Sequence, residues 1–161
     1  MKRFLLCASA LAAMTGASAV QAQTQTTSIA ASAEVSTVCS VTATPLVFGE
    51  VSLTAVTDGT ATVTATCTNG GPYDIGLDDG INAVAGQRTL ISGANSLDYD
   101  LYTDTLRADR WGNIIGTDAV AGTGTGTAQA LTVYGQIPAG QAVSAGNGVD
   151  YADTVQVTIT Y

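Results

Sequence analysis

The sequence predicts an all-β sandwich. Three observations carry that expectation. Apolar and polar residues alternate with period two in segment after segment, clusters of turn-forming residues separate those segments, and no window after residue 22 sustains the repeat of an amphipathic helix. The strand candidates are Leu46–Leu53, Ala61–Cys67, Tyr73–Leu77, Arg88–Ile91, Leu97–Leu101, Leu131–Ile137 and Thr154–Tyr161. About seven short strands without a helix, in a chain of 161 residues, fit two sheets packed face to face.

The chain opens on a different pattern. Met1-Lys2-Arg3 is a short positive start, Phe4 to Met14 is an apolar stretch, and Val20-Gln21-Ala22 places small or apolar residues at −3 and −1 of a cut before Gln23. This is the layout of a secretory signal peptide over 1–22, with a cut after Ala19 as the alternative. The apolar stretch is well short of the roughly 20 residues a membrane span needs, so no integral membrane segment is expected in the mature chain.

Cleavage removes Cys7 and leaves Cys39 and Cys67. An even cysteine count in an exported chain reads as one disulfide. Closing a loop of that length is worth roughly 3.6 kcal/mol in chain-entropy terms. Both cysteines fall on the apolar phase of their segments, which suits a bridge inside the sandwich.

Turn signals follow the strands: Asp58-Gly59, Asn69-Gly70-Gly71-Pro72, Asp78-Asp79-Gly80, Gly93-Ala94-Asn95 and Gly146-Asn147-Gly148. The Gly/Thr run from Gly122 to Thr127 lacks the spacing of a nucleotide-binding loop and reads as a flexible surface loop. On the last strand Val155, Val157, Ile159 and Tyr161 share the inward face.

Composition excludes several kinds of chemistry. The chain has no His, the commonest general base and metal ligand. The mature chain has no Lys, which removes Schiff-base and phosphate-loop chemistry. Loss of Lys2 and Arg3 leaves Arg88, Arg107 and Arg110 against 13 carboxylates, a formal charge of −10. Such a surface repels phosphate backbones, so nucleic acid is not an expected partner. Asp98 and Asp100 form an i, i+2 pair on the polar, solvated face of a strand rather than a catalytic couple across a cleft. Asp78-Asp79-Gly80 reads as a turn, because it lacks the further oxygen ligands of a calcium loop. Arg107, Arg110 and Trp111 could face a sugar, with a loop packing its Trp over the sandwich as the plainer expectation. Ser9, Ser92 and the other serines have no His base. No catalytic, cofactor or metal site is expected.

The two ends of the chain suggest a function. The last strand runs to Tyr161 and leaves no residue for another strand, whereas Gln23 to Val38 is extended chain before the first mature cysteine. From residue 29 to 35 that extension alternates, with small apolar side chains on one face, and part of it is expected to begin the first strand. A sandwich short of one strand has a sticky edge, which another subunit's extension can complete. The alternative is a disordered tail.

Several ordered segments resemble the spore coat protein U domain family, whose better-understood members are pilin subunits of archaic, Csu-type chaperone–usher pili. They are Cys39-Ser40-Val41 followed by Leu46-Val47-Phe48-Gly49, Cys67 before a Gly-rich turn, Tyr73 to Gly80, Arg88-Thr89-Leu90, Leu97 to Asp104, Trp111-Gly112, Val133 to Ile137, Gln141, and Tyr151 to Tyr161. The resemblance implies an incomplete immunoglobulin-like sandwich that lacks its final strand, carried by residues 35–161, with an N-terminal donor-strand extension over 23–34. It implies a periplasmic chaperone that lends a strand, assembly at an outer-membrane usher, and replacement by the extension of the next, homologous pilin subunit. Gln25 to Ala33 would be the donor segment, with Thr27, Ile29, Ala31 and Ala33 entering the neighbour's groove. Val155, Val157, Ile159 and Tyr161 would line the acceptor groove and pair with the chaperone. The fibre would sit on the cell surface and serve attachment or biofilm formation. A single-domain adhesin for a surface or glycan, or a spore coat protein, are the alternatives. Ile29 is the only large side chain on the donor face before Val35, so full burial there contributes only about 1.5–3 kcal/mol.

Overall fold

The structure is a computed structural model that describes residues 21–143 and 150–161. The expected signal peptide falls almost entirely outside the described residues, as does the Gly146-Asn147-Gly148 turn. Residues 21–38 belong to no strand. Eight strands follow: β1 (Cys39–Ala43), β2 (Thr57–Cys67), β3 (Pro72–Leu77), β4 (Arg88–Ser92), β5 (Asn95–Tyr102), β6 (Val120–Thr123), β7 (Ala128–Ile137) and β8 (Val157–Thr160). They build two sheets, β1-β2-β7-β5-β4 and β6-β3-β8, in which every pairing is antiparallel. No helix occurs among the described residues. The architecture is the predicted immunoglobulin-like β-sandwich.

Alternation makes the core. On β2 the side chains of Val63, Ala65 and Cys67 are buried, and on β5 those of Leu97, Tyr99 and Leu101. Val133 and Ile137 of β7 join them from the first sheet, and Tyr73, Ile75 and Leu77 of β3 from the second. Each such side chain contributes about 1.5–3 kcal/mol when fully buried. Trp111 lies in this core at 1% exposure, and its indole Nε1–H donates to the Ile75 carbonyl at 2.9 Å. It is therefore unavailable to stack on a sugar.

Cys39 and Cys67 are bridged. They are direct register partners of β1 and β2. The ladder bonds run through Val38–Thr68 and Thr44–Thr62, so Cys39–Cys67 is a non-hydrogen-bonded pair, where the strands bring Cα atoms closest; here they are 4.1 Å apart. The bridge thus ties two strands of one sheet.

The sequence expectation fails at particular places. Leu46–Leu53 forms no strand. Thr44 is the last residue bonded to β2, and Pro45, whose ring fixes its own φ and restricts the residue before it, follows at once, although Leu46 and Phe48 still point inward. They lie over Gly135 of β7, where a Cβ would come within 2.9 Å of Leu46 Cδ1. Asp58-Gly59 is part of β2 rather than a turn. The first strand begins at Cys39, not within 29–35. The Gly122–Thr127 run is not a free loop: Gly122 and Thr123 end β6, and Gly124 is buried. The Gly124 amide donates to the Gly71 carbonyl at 2.7 Å, and a Cβ there would come within 2.2 Å of the Thr68 carbonyl oxygen. Its glycine is a packing requirement beside the disulfide.

One buried cation joins the sheets. Arg88 of β4 is fully buried beside its register partner Tyr99. Its guanidinium donates to the carbonyls of Leu77 (2.9 Å), Asp78 (2.8 and 2.9 Å) and Trp111 (2.7 Å), and to Asp100 Oδ1 at 2.6 Å. Asp100 also takes Arg110 at 2.8 Å, and Arg110 reaches Asp79 at 2.7 Å. Asp100, expected on the solvated face, is drawn inward to 17% side-chain exposure by these two arginines.

Two stability outcomes follow. Arg88→Met leaves three carbonyls without their donor, and urea unfolding is expected to show a loss of about 3 kcal/mol or more. Replacing both Cys39 and Cys67 by Ser is expected to lower the unfolding free energy by about 3 kcal/mol with the fold retained in circular dichroism.

Candidate strand-binding groove

The two sheets do not close on each other at one border. β1 is the edge of the first sheet and β8 the edge of the second; they approach one another but exchange no ladder hydrogen bonds. The ladders determine which backbone groups face that gap. β1 bonds to β2 through its even-numbered residues, so the backbone groups of Cys39, Val41 and Ala43 point to the gap. The Asp78 amide donates to the Gln156 carbonyl at 3.1 Å, so the even-numbered residues of β8 bond to β3 and the backbone groups of Val157 and Ile159 point outward. Unpaired strand edges of this kind are templates for another strand.

A cavity of about 460 Å³ opens along the border. One wall is residues 43–48, including Leu46 and Phe48, and the other is residues 153–157, including Val155 and Val157. Its floor is core: Val63, Leu77, Leu90, Tyr99, Leu101 and Val133. Asp153 is the only charged side chain in the lining. Its Oδ2 accepts the Tyr99 hydroxyl at 2.8 Å and its Oδ1 accepts the Asn82 amide at 3.2 Å. Burial and the neighbouring Asp153 carboxylate push the Tyr99 phenol well above the ordinary tyrosine range. The same contacts pin the start of the last segment. One residue earlier, Ala152 exchanges backbone hydrogen bonds with Ile91 of β4 at 3.0 and 3.1 Å, so the segment leads from the first sheet into the second.

The expected acceptor residues fall here in part. Val155, Val157 and Ile159 are half-buried and packed against the core. Tyr161 lies past the end of β8 and is 60% exposed. The regular strand is shorter than the expected Thr154–Tyr161, although inward alternation holds from Asp153. Within the N-terminal segment, Thr27, Ile29, Ala31 and Ala33 are exposed, Ile29 to 93%. The sequence reading missed Leu46, Phe48, Leu90 and Tyr99 as groove residues. The only hint was the alternation of Leu46 and Phe48 across a segment that is not a strand.

Other candidates resolve into structure. Asp78 Oδ1 accepts the Gly80 amide at 3.0 Å and the Gln156 amide at 2.8 Å, so it shapes the expected turn and holds the last segment to it. Arg107 pairs with Asp58 at 3.1 Å. Asp104 gathers the amides of Leu106, Ala108 and Asp109, and these bonds, that of Asp109 first, hold its carboxyl below the usual carboxylate range.

The geometry is that of an immunoglobulin-like sandwich with an apolar cavity along the border between β1 and β8. The chain belongs to the Spore Coat Protein U domain family, whose model matches residues 25–158. Among solved structures it is similar to a CsuC–CsuE chaperone–tip adhesion subunit pre-assembly complex from the archaic chaperone–usher Csu pili of Acinetobacter baumannii, with 23% identity and a TM-score of 0.58. That match covers 79% of this chain and 40% of the other, so the chain spans well under half the length of that relative. A chaperone–tip adhesin complex of CFA/I fimbriae aligns at 16% identity and a TM-score of 0.34, over 66% of this chain and 35% of that one. Comparison with curated proteins finds no match.

The Tyr99 environment gives a pH expectation. Its phenol is harder to ionise in the folded state than in the unfolded chain, whose value is near 10.0. The resulting stability is fully present below that value and is lost as pH rises above it. Tyr99→Phe is expected to flatten the alkaline limb of the unfolding curve, and to lose about 0.5–1.5 kcal/mol at neutral pH.

Proposed function

We propose that this chain is a structural subunit of an exported surface fibre of the chaperone–usher kind, assembled by strand insertion between copies or homologous subunits. The observation that carries the reading is the groove itself: an apolar cavity along a border where β1 and β8 both present unpaired backbone groups. Family membership supports it, as does the likeness in fold to a subunit whose structure was solved with its chaperone.

The groove's needs define its partner. An inserted strand would satisfy the outward backbone groups of Val157 and Ile159 and send alternate side chains into the cavity. Residues 23–34, free of strand structure and bearing exposed Ile29, Ala31 and Ala33, supply such a strand for the next subunit. Before assembly a periplasmic chaperone would occupy the same border, and an outer-membrane usher would exchange one strand for the other.

Topology supports a head-to-tail arrangement. Cys39, where β1 begins, lies at the same end of the sandwich as Thr160, because Cys39 pairs with Cys67, and Thr160 with Asp74 near the start of β3. The cavity lies toward the opposite end, beside Phe48 and Asp153. An extension that leaves one end and enters the far end of the next body is a heterologous contact, which generates an open fibre rather than a closed ring. Surface attachment or biofilm formation would be the work of that fibre. No catalytic role is proposed.

Deleting residues 23–33 is expected to leave a subunit that still forms a complex with its chaperone but adds no further subunit. Co-purification and electron microscopy of the assembled material read the two effects separately. Fibres of normal length from the deleted chain would refute the assignment of the extension.

A further inference from the structure

We infer that the inserted segment is Ile29–Val35, with Val35 rather than Thr27 as the fourth inward side chain; this rests on the strand-insertion reading above. The first strand begins at Cys39, and Val38 is already tied to it, since its carbonyl accepts the Thr68 amide at 3.0 Å. Val35, which the sequence pattern would place in the domain's first strand, lies outside it and is 85% exposed. Its side chain continues the inward phase of Ile29, Ala31 and Ala33, so that face is bounded by a large apolar residue at each end.

The shape of the groove selects between registers. The cavity follows residues 153–157 and 43–48 and is ringed at its far end by Phe48, Leu90 and Tyr99. Antiparallel pairing with β8 sends the C-terminal side of an inserted strand to that end. With Gln25–Ala33 inserted, the residue arriving there is Ala33, a single methyl group, and a void remains. With Ile29–Val35 inserted, it is Val35. Polarity points the same way. The Tyr99 hydroxyl already donates to Asp153, and the other oxygen of Asp153 is engaged by the Asn82 amide. Valine at that end brings no polar group to compete for these bonds. Glu34, the only charge between residues 23 and 38, then falls on the outward, solvated phase.

The register also sets how close neighbouring bodies come. Only Ser36 and Thr37 would separate Val35 in one body's groove from Val38 in its own ladder, a reach of about 10 Å at full extension. Thr37 is itself packed over Gly71, where a Cβ would meet its Cγ2 at 2.5 Å. Consecutive bodies would abut rather than swing on a tether.

The test uses the whole mature chain with a second copy of residues 23–37 joined after Tyr161 by a short flexible linker. Substitutions are made in the added copy alone, so the body is unchanged. The unmodified copy, held at high effective concentration, is expected to raise Tm by about 10 °C and to slow amide exchange at Val157 and Ile159. Val35→Asp or Ile29→Asp in the copy removes most of that gain, and Thr27→Asp leaves it. Loss of the gain with Thr27→Asp, or its survival with Val35→Asp, overturns this register while strand insertion stands. No gain and no added protection from the unmodified copy would overturn strand insertion itself, and this inference with it.

Discussion

The structure turns on an unsatisfied border. Backbone N–H and C=O groups are strong, obligatory hydrogen-bonding groups, and a folded chain normally accounts for nearly all of them. Here, among the described residues, two edge strands from different sheets meet without pairing, and the apolar side chains of Val155, Val157, Leu46 and Phe48 stand around a cavity. Water can solvate the exposed edge, but it does so beside aliphatic surface that burial would favour by about 25 cal/mol per Å². The border therefore stays intact only if the rest of the body is rigid enough not to collapse into it.

That rigidity is placed next to the border. The Cys39–Cys67 bridge fastens β1, the edge strand of one wall, to β2. Asp78 and Asp153 fasten the other wall: the first accepts the Gln156 amide, and the second takes the Tyr99 hydroxyl and the Asn82 amide. Arg88 joins the two sheets behind the floor by filling the carbonyls of Leu77, Asp78 and Trp111. A buried cation is costly unless every proton finds an acceptor, and breaking such a set costs more than it gains in place. Its consequence here is geometric. It fixes where β3 leaves the second sheet, and so where β8, which pairs with β3, can lie.

Much of this was legible in the sequence because alternation is a local signal. β2, β3, β4, β5 and β7 each overlap a segment read from period-two pattern, and the inward phase of Val155, Val157 and Ile159 was plain for the same reason. The failures have a common cause: a distant partner overrides the local pattern. Leu46 and Phe48 alternate like a strand, but pairing with β2 stops at Thr44, and their side chains instead settle over Gly135. The Gly122–Thr127 run looks like slack chain until Gly124 is seen against Thr68 and the disulfide. Asp100 looked solvated because alternation says nothing about Arg88 and Arg110 closing on it. The groove was half visible. Its strand wall is local in sequence, whereas Leu77, Leu90 and Tyr99 reach the floor only through the packing of two sheets.

Charge gives the last step. A chain with 5 Lys and Arg against 13 Asp and Glu repels its own copies at long range, although physiological salt screens that repulsion within about 8 Å. Association of the kind proposed would therefore have to be driven by contacts that carry no net charge. The groove answers to that description: its lining is mostly apolar, Thr44 and Thr154 apart, and its one carboxylate, Asp153, already accepts two hydrogen bonds from its own body. The extension answers likewise, with Glu34 alone charged and on the phase that faces away. Backbone pairing and small apolar side chains are generic adhesives, so selectivity against other acidic exported chains has to come from shape. In a segment whose middle is Ala30, Ala31, Ser32 and Ala33, both faces are nearly alike and register is weakly held. In the insertion proposed above, the two branched residues at its ends, Ile29 and Val35, are the features that would distinguish one register from the next.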